Sequence, residues 1–177
     1  GALSDTGIFT SGLQETSRQA DRAVLELLSR FGAEVRAETG GVFVRKAALH
    51  GIDIDAGAIP DLIPAIAAVA AYAEGETNIT NAARLRLKES DRLHTVAETI
   101  KSLGGQAKEL PDGLVITGTP RLTGGTADSF GDHRIAMLAA VLAGGCREPV
   151  TVLGAQCTSK SYPEFWQTLD QLKGDSL

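Results

Sequence analysis

Aromatic residues are scarce in this sequence: Phe, Trp and Tyr together make up 5% of 177 residues. The core must therefore rest on Ala, Val, Leu and Ile. Cysteine is nearly absent. Cys146 and Cys157 are too few for a disulfide framework or a metal cluster, and two unpaired thiols suit a reducing cytoplasm. There is no excess of positive charge. The formal net charge of -5 argues against a general nucleic-acid binder, whose footprint is a basic face. Long hydrophobic runs are missing too: the longest, Leu62 to Ala73, contains Pro64 and is too short to cross a bilayer. Nothing at the N-terminus resembles a signal peptide. The opening Gly1-Ala2-Leu3-Ser4-Asp5 lacks an initiating Met and reads as the middle of a longer polypeptide, so a fragment is expected.

What is present is an ordinary globular balance, 43% hydrophobic and 22% charged. A single domain over 1–177 would bury roughly 70% of its unfolded surface. Two kinds of helix alternate along the chain. The first kind is amphipathic. From about Asp21, Val24, Leu25, Leu28 and Phe31 share a face opposite Arg22, Glu26 and Arg30. Similar patterns run from Asp91 to Leu103 and from Pro163 to Leu172. The second kind is apolar nearly all round, Leu62–Ala73 and Ile135–Ala143, and is predicted to be buried on all sides. Strands are predicted at 33–36, 42–45, 52–55, 77–80, 106–109, 114–117, 126–129 and 150–153. Thr39-Gly40-Gly41, Pro111-Asp112-Gly113 and Thr123-Gly124-Gly125 mark turns between them.

The order amphipathic helix, strand, strand, strand, core helix, strand occurs twice and begins a third time. Residues recur with it. Asp21-Arg22 corresponds to Asp91-Arg92, Asp61 to Asp132, and Lys88 to Lys160, each pair about 70 positions apart. Such self-similarity predicts stacked supersecondary units rather than one doubly wound sheet.

Charged residues concentrate where helices begin. Pro60-Asp61 and Asp132-His133-Arg134 open the two core helices. Lys88-Glu89-Ser90-Asp91-Arg92 opens an amphipathic helix, and Thr158-Ser159-Lys160-Ser161 leads into the last one. Helix N-termini present free N–H groups and the positive end of the dipole, and so attract anions. If these ends share one side, Lys88, Arg92, His133, Arg134 and Lys160 form a cationic cluster fit for a small phosphorylated carboxylic acid. Taken singly, each residue has a plainer explanation. Asp61 beside Pro60 reads first as a helix cap, and Ser90 and Asp91 are expected to be caps. His133 reads as a satisfied buried histidine, and the lysines and arginines as solvated surface charges. Recurrence at matching points of the repeat is what favours a site.

Arg86-Leu87-Lys88-Glu89-Ser90-Asp91-Arg92 resembles the lysine-glutamate-serine/threonine-aspartate-arginine signature of 5-enolpyruvylshikimate-3-phosphate synthases. Asp132-His133-Arg134-Ile135-Ala136-Met137 is similar to that family's second signature, and Cys157-Thr158-Ser159-Lys160-Ser161-Tyr162-Pro163 to its third. Ile59-Pro60-Asp61 resembles the segment that carries the catalytic aspartate. Four matches in the family's order cover essentially the whole chain.

The resemblance implies an α/β fold (α+β by some schemes) of repeated βαββαβ units. Buried parallel helices would lie inside and the sheets would face solvent, an inside-out α/β barrel with about two and a half of three units present. It implies the C-terminal domain of a two-domain enzyme whose N-terminal domain is absent. The implied reaction joins phosphoenolpyruvate to the 5-hydroxyl of shikimate 3-phosphate and releases phosphate, in the cytoplasm, with no metal or cofactor. Asp61 and Glu89 would be catalytic. Asp61, Lys88, Arg92, His133, Arg134 and Lys160 would bind substrate, with Arg84 a candidate contact and Asn81 outside the site. Two alternatives stand beside this: a sister enolpyruvyl transferase acting on a UDP-linked amino sugar, and a non-catalytic anion-binding half-site.

Overall fold

The computed structural model describes residues 1–13 and 19–174. In chain order the elements are β1 (Ile8–Ser11), α1 (Ala23–Arg30), β2 (Glu34–Glu38), β3 (Gly41–Arg45), β4 (Asp53–Asp55), α2 (Ile63–Ala70), β5 (Glu76–Thr80), α3 (Arg92–Ser102), β6 (Gln106–Leu110), β7 (Gly113–Thr117), β8 (Gly125–Asp128), α4 (His133–Ala143), β9 (Val150–Leu153) and α5 (Phe165–Gly174). All eight predicted strands form, as do both core helices and the three amphipathic ones. β1 was not foreseen. Its four residues lie between Gly7 and Gly12, both at positive φ, and only Ile8 among them is not exposed.

The strands form three sheets, ordered β1-β3-β2, β4-β5-β7-β6 and β8-β9. The two units repeat in pairing as well as in order. β4 runs parallel to β5 with Ile54 opposite Ile79, and β8 runs parallel to β9 with Ala127 opposite Val152. Just before each pair lies a single parallel bridge, His50–Glu74 in one unit and Leu122–Cys146 in the other. The tight hairpins β2–β3 and β6–β7 are antiparallel.

Helix ends follow local chemistry. α1 and α3 each stop at a glycine in the left-handed region, Gly32 (φ 94°) and Gly104 (φ 87°), where a Cβ would be strained. α2 begins with Pro64 in its first turn, where a missing N–H costs nothing. Asp91 caps α3 by accepting the His94 N–H at 3.3 Å, and Asp132 caps α4 by accepting the Arg134 N–H at 2.9 Å.

α2 is buried at every position except Ala65, and its small side chains let α4 pack directly against it. α1 differs from expectation: its buried residue is Leu27, while Val24, Leu25 and Leu28 are only partly covered. Val24 and Leu28 instead line an apolar groove of about 270 Å³ between α1 and the pair α2–α4, where Val141 of α4 is 41% exposed. Among the described residues, no helix is long and apolar enough to cross a membrane.

Candidate functional site

The chain enters α2 through a 3-10 turn, Pro60–Leu62, and enters α3 through a second, Ala83–Leu87, followed by the extended Lys88. Two short helical turns and a capped helix start thus bring Asp61, Lys88–Arg92 and Asp132–Arg134 to one place. Arg92 is at its centre. Although charged, it is only 1% exposed, and its guanidinium meets three carboxylates. Nε donates to Asp132 Oδ2 at 2.8 Å, Nη1 to Asp61 Oδ1 at 2.8 Å, and Nη2 to Glu89 Oε2 at 2.6 Å and Asp132 Oδ1 at 3.2 Å. Lys88 Nζ reaches the same Asp61 oxygen at 3.0 Å. Arg134 Nη1 donates to the main-chain carbonyl of Asp61 at 3.0 Å.

These contacts change several sequence expectations. Asp61 makes no capping hydrogen bond; it pairs with Lys88 and Arg92 instead. Ser90 is not a cap either, since its hydroxyl donates to Asp132 Oδ2 at 3.0 Å. Asp91 is a cap, as expected. His133 is buried but not satisfied: its Nδ1 lacks a hydrogen-bond partner and lies 4.0 Å from Asp132 Oδ1. Arg92, expected as an open cation, has its donors occupied by carboxylates. Sequence reasoning missed this because a residue flanked by Asp91 and Leu93 reads as surface, whereas its burial depends on Asp132, 40 positions away.

The remaining candidates make no hydrogen bond or ion pair to this cluster among the described residues. Lys160 ends the 3-10 helix Ala155–Lys160, which packs on α4, and its side chain is exposed. Arg84 is exposed on the 3-10 turn before Lys88. Asn81 has a positive φ of 54° and donates to Asp55 Oδ1 at 2.9 Å.

Two residues that were not among the expected catalytic or binding residues hold the site in shape. Asp132 is one; the signal for it was its correspondence with Asp61 in the repeat. Arg86 is the other. Its Nη1 donates to Asp91 and Glu109, each at 2.7 Å, and its Nη2 to the Leu110 carbonyl at 2.8 Å. Those bonds staple the segment carrying Lys88 and Glu89 to the β6–β7 hairpin.

The electrostatics follow from this packing. Burial alone would raise the Asp61 carboxyl, but the Lys88 hydrogen bond and the charges of Lys88, Arg134 and Arg92 outweigh it and hold the group below its ordinary value. Asp132 is likewise pushed up by burial and pulled further down by Arg92, the Arg134 N–H and Ser90. Burial disfavours the Arg92 cation, yet its hydrogen bond and charge pairing with Asp132 more than compensate and keep it protonated. The result is an ionised carboxylate at the start of α2, Asp61, 39% exposed and faced by Lys88, Arg92 and Arg134 from the starts of α3 and α4. Such an arrangement can accept a proton from a hydroxyl and hold carboxylate or phosphate oxygens. Among the described residues, no group of three or more His, Cys, Asp or Glu side chains is arranged to hold a metal ion.

Comparison with known proteins gives concordant results. Residues 1–169 match the family model described as EPSP synthase (3-phosphoshikimate 1-carboxyvinyltransferase). The chain is 47% identical over 163 residues to a Clostridium acetobutylicum protein named 3-phosphoshikimate 1-carboxyvinyltransferase, an alignment covering 92% of this chain and 38% of that protein. The structure resembles an EPSP synthase from Acinetobacter baumannii with a TM-score of 0.79 at 28% identity, covering 93% of this chain and 41% of that one. It shares its fold with the enolpyruvyl transferase NikO of Streptomyces tendae, with a TM-score of 0.74 at 22% identity, over 94% of this chain and 38% of that one. The chain spans about 40% of the length of the curated relatives it matches.

Proposed function

The chain belongs to the EPSP synthase family, and from that premise we propose that it forms one side of an active site for enolpyruvyl transfer from phosphoenolpyruvate to the 5-hydroxyl of shikimate 3-phosphate. In this reading it is the C-terminal domain of a two-domain cytoplasmic enzyme. The rest of the polypeptide supplies the opposite wall of the site, and the chain alone does not turn over.

The observation that carries the proposal is Asp61, ionised and half-open among Lys88, Arg92 and Arg134. The chemistry needs a base at a hydroxyl, an acid at a vinyl carbon and cations around a trianionic substrate. Asp61 takes the proton of the 5-hydroxyl as its oxygen attacks C2 of phosphoenolpyruvate, while Glu89 delivers a proton to C3. The tetrahedral adduct then expels phosphate as Glu89 recovers the C3 proton and the proton held by Asp61 passes to the departing phosphate, so both carboxylates contribute by positioned proton transfer and return to their starting states. Arg92, Arg134 and Lys160 hold phosphoenolpyruvate with His133 assisting, and Lys88 reaches toward the phosphorylated acceptor. Arg92 gains its ligand by exchanging Asp61 and Glu89 for anion oxygens, since both carboxylates are more than a third exposed.

The test is phosphate release from phosphoenolpyruvate by the chain completed with the remainder of its polypeptide. Release that requires shikimate 3-phosphate and collapses in Asp61→Ala supports the proposal. Release driven by a UDP-linked amino sugar instead would assign the acceptor of the sister transferases. Binding of phosphoenolpyruvate without any release would leave an anion-binding half-site.

A further inference from the structure

We propose that Asp132 is a positioning residue of this site. It locks one edge of the Arg92 guanidinium so that ligand exchange occurs only on the other edge. The inference rests on the proposed function for the identity of the anion, but its geometric basis does not.

The three carboxylates around Arg92 are not equivalent. Asp61 and Glu89 have side chains 39% and 35% exposed, whereas Asp132 has none of its surface exposed. Asp61 and Glu89 border open space, so each can release Arg92 and turn toward the reacting atoms when an anion takes its place. Asp132 cannot, because leaving Arg92 would strand a buried charge. It is also held from two sides. Oδ2 accepts from Arg92 Nε at 2.8 Å and Ser90 Oγ at 3.0 Å; Oδ1 accepts from the Arg134 N–H at 2.9 Å and Arg92 Nη2 at 3.2 Å.

Those four donors come from the start of α3 and the start of α4, so the carboxylate sits at a fixed angle between the two helices. A guanidinium gripped through Nε and one Nη2 hydrogen can turn only about that grip. Its free fork, Nη1 and the outer side of Nη2, is the part that meets Asp61 and Glu89. A planar fork aimed in one direction is what bidentate recognition of a carboxylate requires. Without Asp132, the same guanidinium would settle symmetrically on Asp61 and Glu89 and have no outward edge to offer. The Asp132 carboxylate touches no reacting atom in this scheme and acts only through Arg92.

Asp132→Asn is the informative change, since Asn is also a good N-cap and preserves shape while removing the charge. In the ¹⁵N-labelled 177-residue chain, the Arg92 Nε–H should exchange slowly with solvent. Asp132→Asn should accelerate that exchange by at least about tenfold, and Asp61→Asn should leave it unchanged. In the completed enzyme, Asp132→Asn should raise KM for phosphoenolpyruvate on the order of tenfold, with KM for shikimate 3-phosphate unchanged, and Asp132→Glu should restore part of the loss. An unaltered Nε–H exchange, or an equal rise in both KM values, overturns the proposal. If Asp132→Asn does not fold, Ser90→Ala removes one donor to the same carboxylate and should shift the phosphoenolpyruvate KM alone, by a smaller factor; no selective shift there is equally fatal. Absence of turnover in the unmodified completed enzyme would instead strike at the proposed function, and the exchange measurement would still decide whether Asp132 fixes Arg92.

Discussion

Arg134 Nη1 donates at 3.0 Å to the main-chain carbonyl of Asp61, joining the entry of α4 to the entry of α2 across 73 positions of sequence. The two residues open equivalent core helices in successive copies of the repeat. The site is therefore a seam between units, and the contacts that shape it also hold the units together. Substitutions there should affect stability and binding to different degrees, depending on burial.

Arg92→Ala should be the most destabilising change in the site. It leaves Asp132 buried with no compensating cation, a situation that costs about 3–5 kcal/mol. Urea unfolding of the 177-residue chain measures it directly. A loss below about 1 kcal/mol would mean that Arg92 behaves as an exposed pair and that the buried network described here does not exist in solution.

Lys160→Ala should behave in the opposite way. Its side chain is exposed and makes no ion pair among the described residues, so stability should stay within about 0.5 kcal/mol. If Lys160 binds phosphoenolpyruvate as proposed, affinity in the completed enzyme should fall by about tenfold. Calorimetric titration beside a melting curve separates the two effects, and unchanged affinity would remove Lys160 from the site.

The contrast between these two residues shows what the sequence could and could not carry. Periodicity read the helices and strands correctly because α2 and β7 declare themselves through local runs such as Ile63–Ala70 and Leu114–Thr117. The repeat located the helix starts, and with them Asp61, Lys88 and Asp132. Burial of Arg92 was illegible, because it is created by a carboxylate 40 residues away. The stapling role of Arg86 was hidden for the same reason: its acceptors lie on a hairpin 23 to 25 positions later. β1 escaped because an edge strand of Ile-Phe-Thr-Ser has no alternation to display.

At the other end of the core helices, Tyr72 Oη donates to the Leu142 carbonyl at 2.5 Å, tying α2's C-terminal end to α4. Burial pushes the Tyr72 phenol far above the usual tyrosine range, and the neighbouring Cys146 raises it further. The ultraviolet difference between the chain and its Tyr72→Phe variant should thus show no phenolate from this residue through pH 11. Tyr72→Phe should cost about 1 kcal/mol or less, since the Cys146 thiol already donates to the same carbonyl at 3.3 Å. A phenolate band that the variant lacks, appearing near pH 10, would place Tyr72 in contact with water.

Acid should weaken the fold through the carboxylates of the seam. Asp61 and Asp132 lie below their ordinary value of 3.8, and Glu109, held by Arg86 and His94, lies below its ordinary 4.5. A carboxylate with a depressed folded value contributes stability that is fully present above the unfolded value. That contribution is lost as pH falls through the folded one, because the unfolded chain takes up its protons first. Stability should therefore be insensitive to these groups between pH 7 and 5 and decline from about pH 4.5 downward. Asp132→Asn deletes one of the three and should lower stability at neutral pH while making the acid decline shallower. Urea midpoints from pH 7 to 3 for both proteins test this. An identical acid slope in the variant would mean that Asp132 does not bind its proton below the ordinary range, and that its pairing with Arg92 is weaker than the 2.8 Å contact indicates.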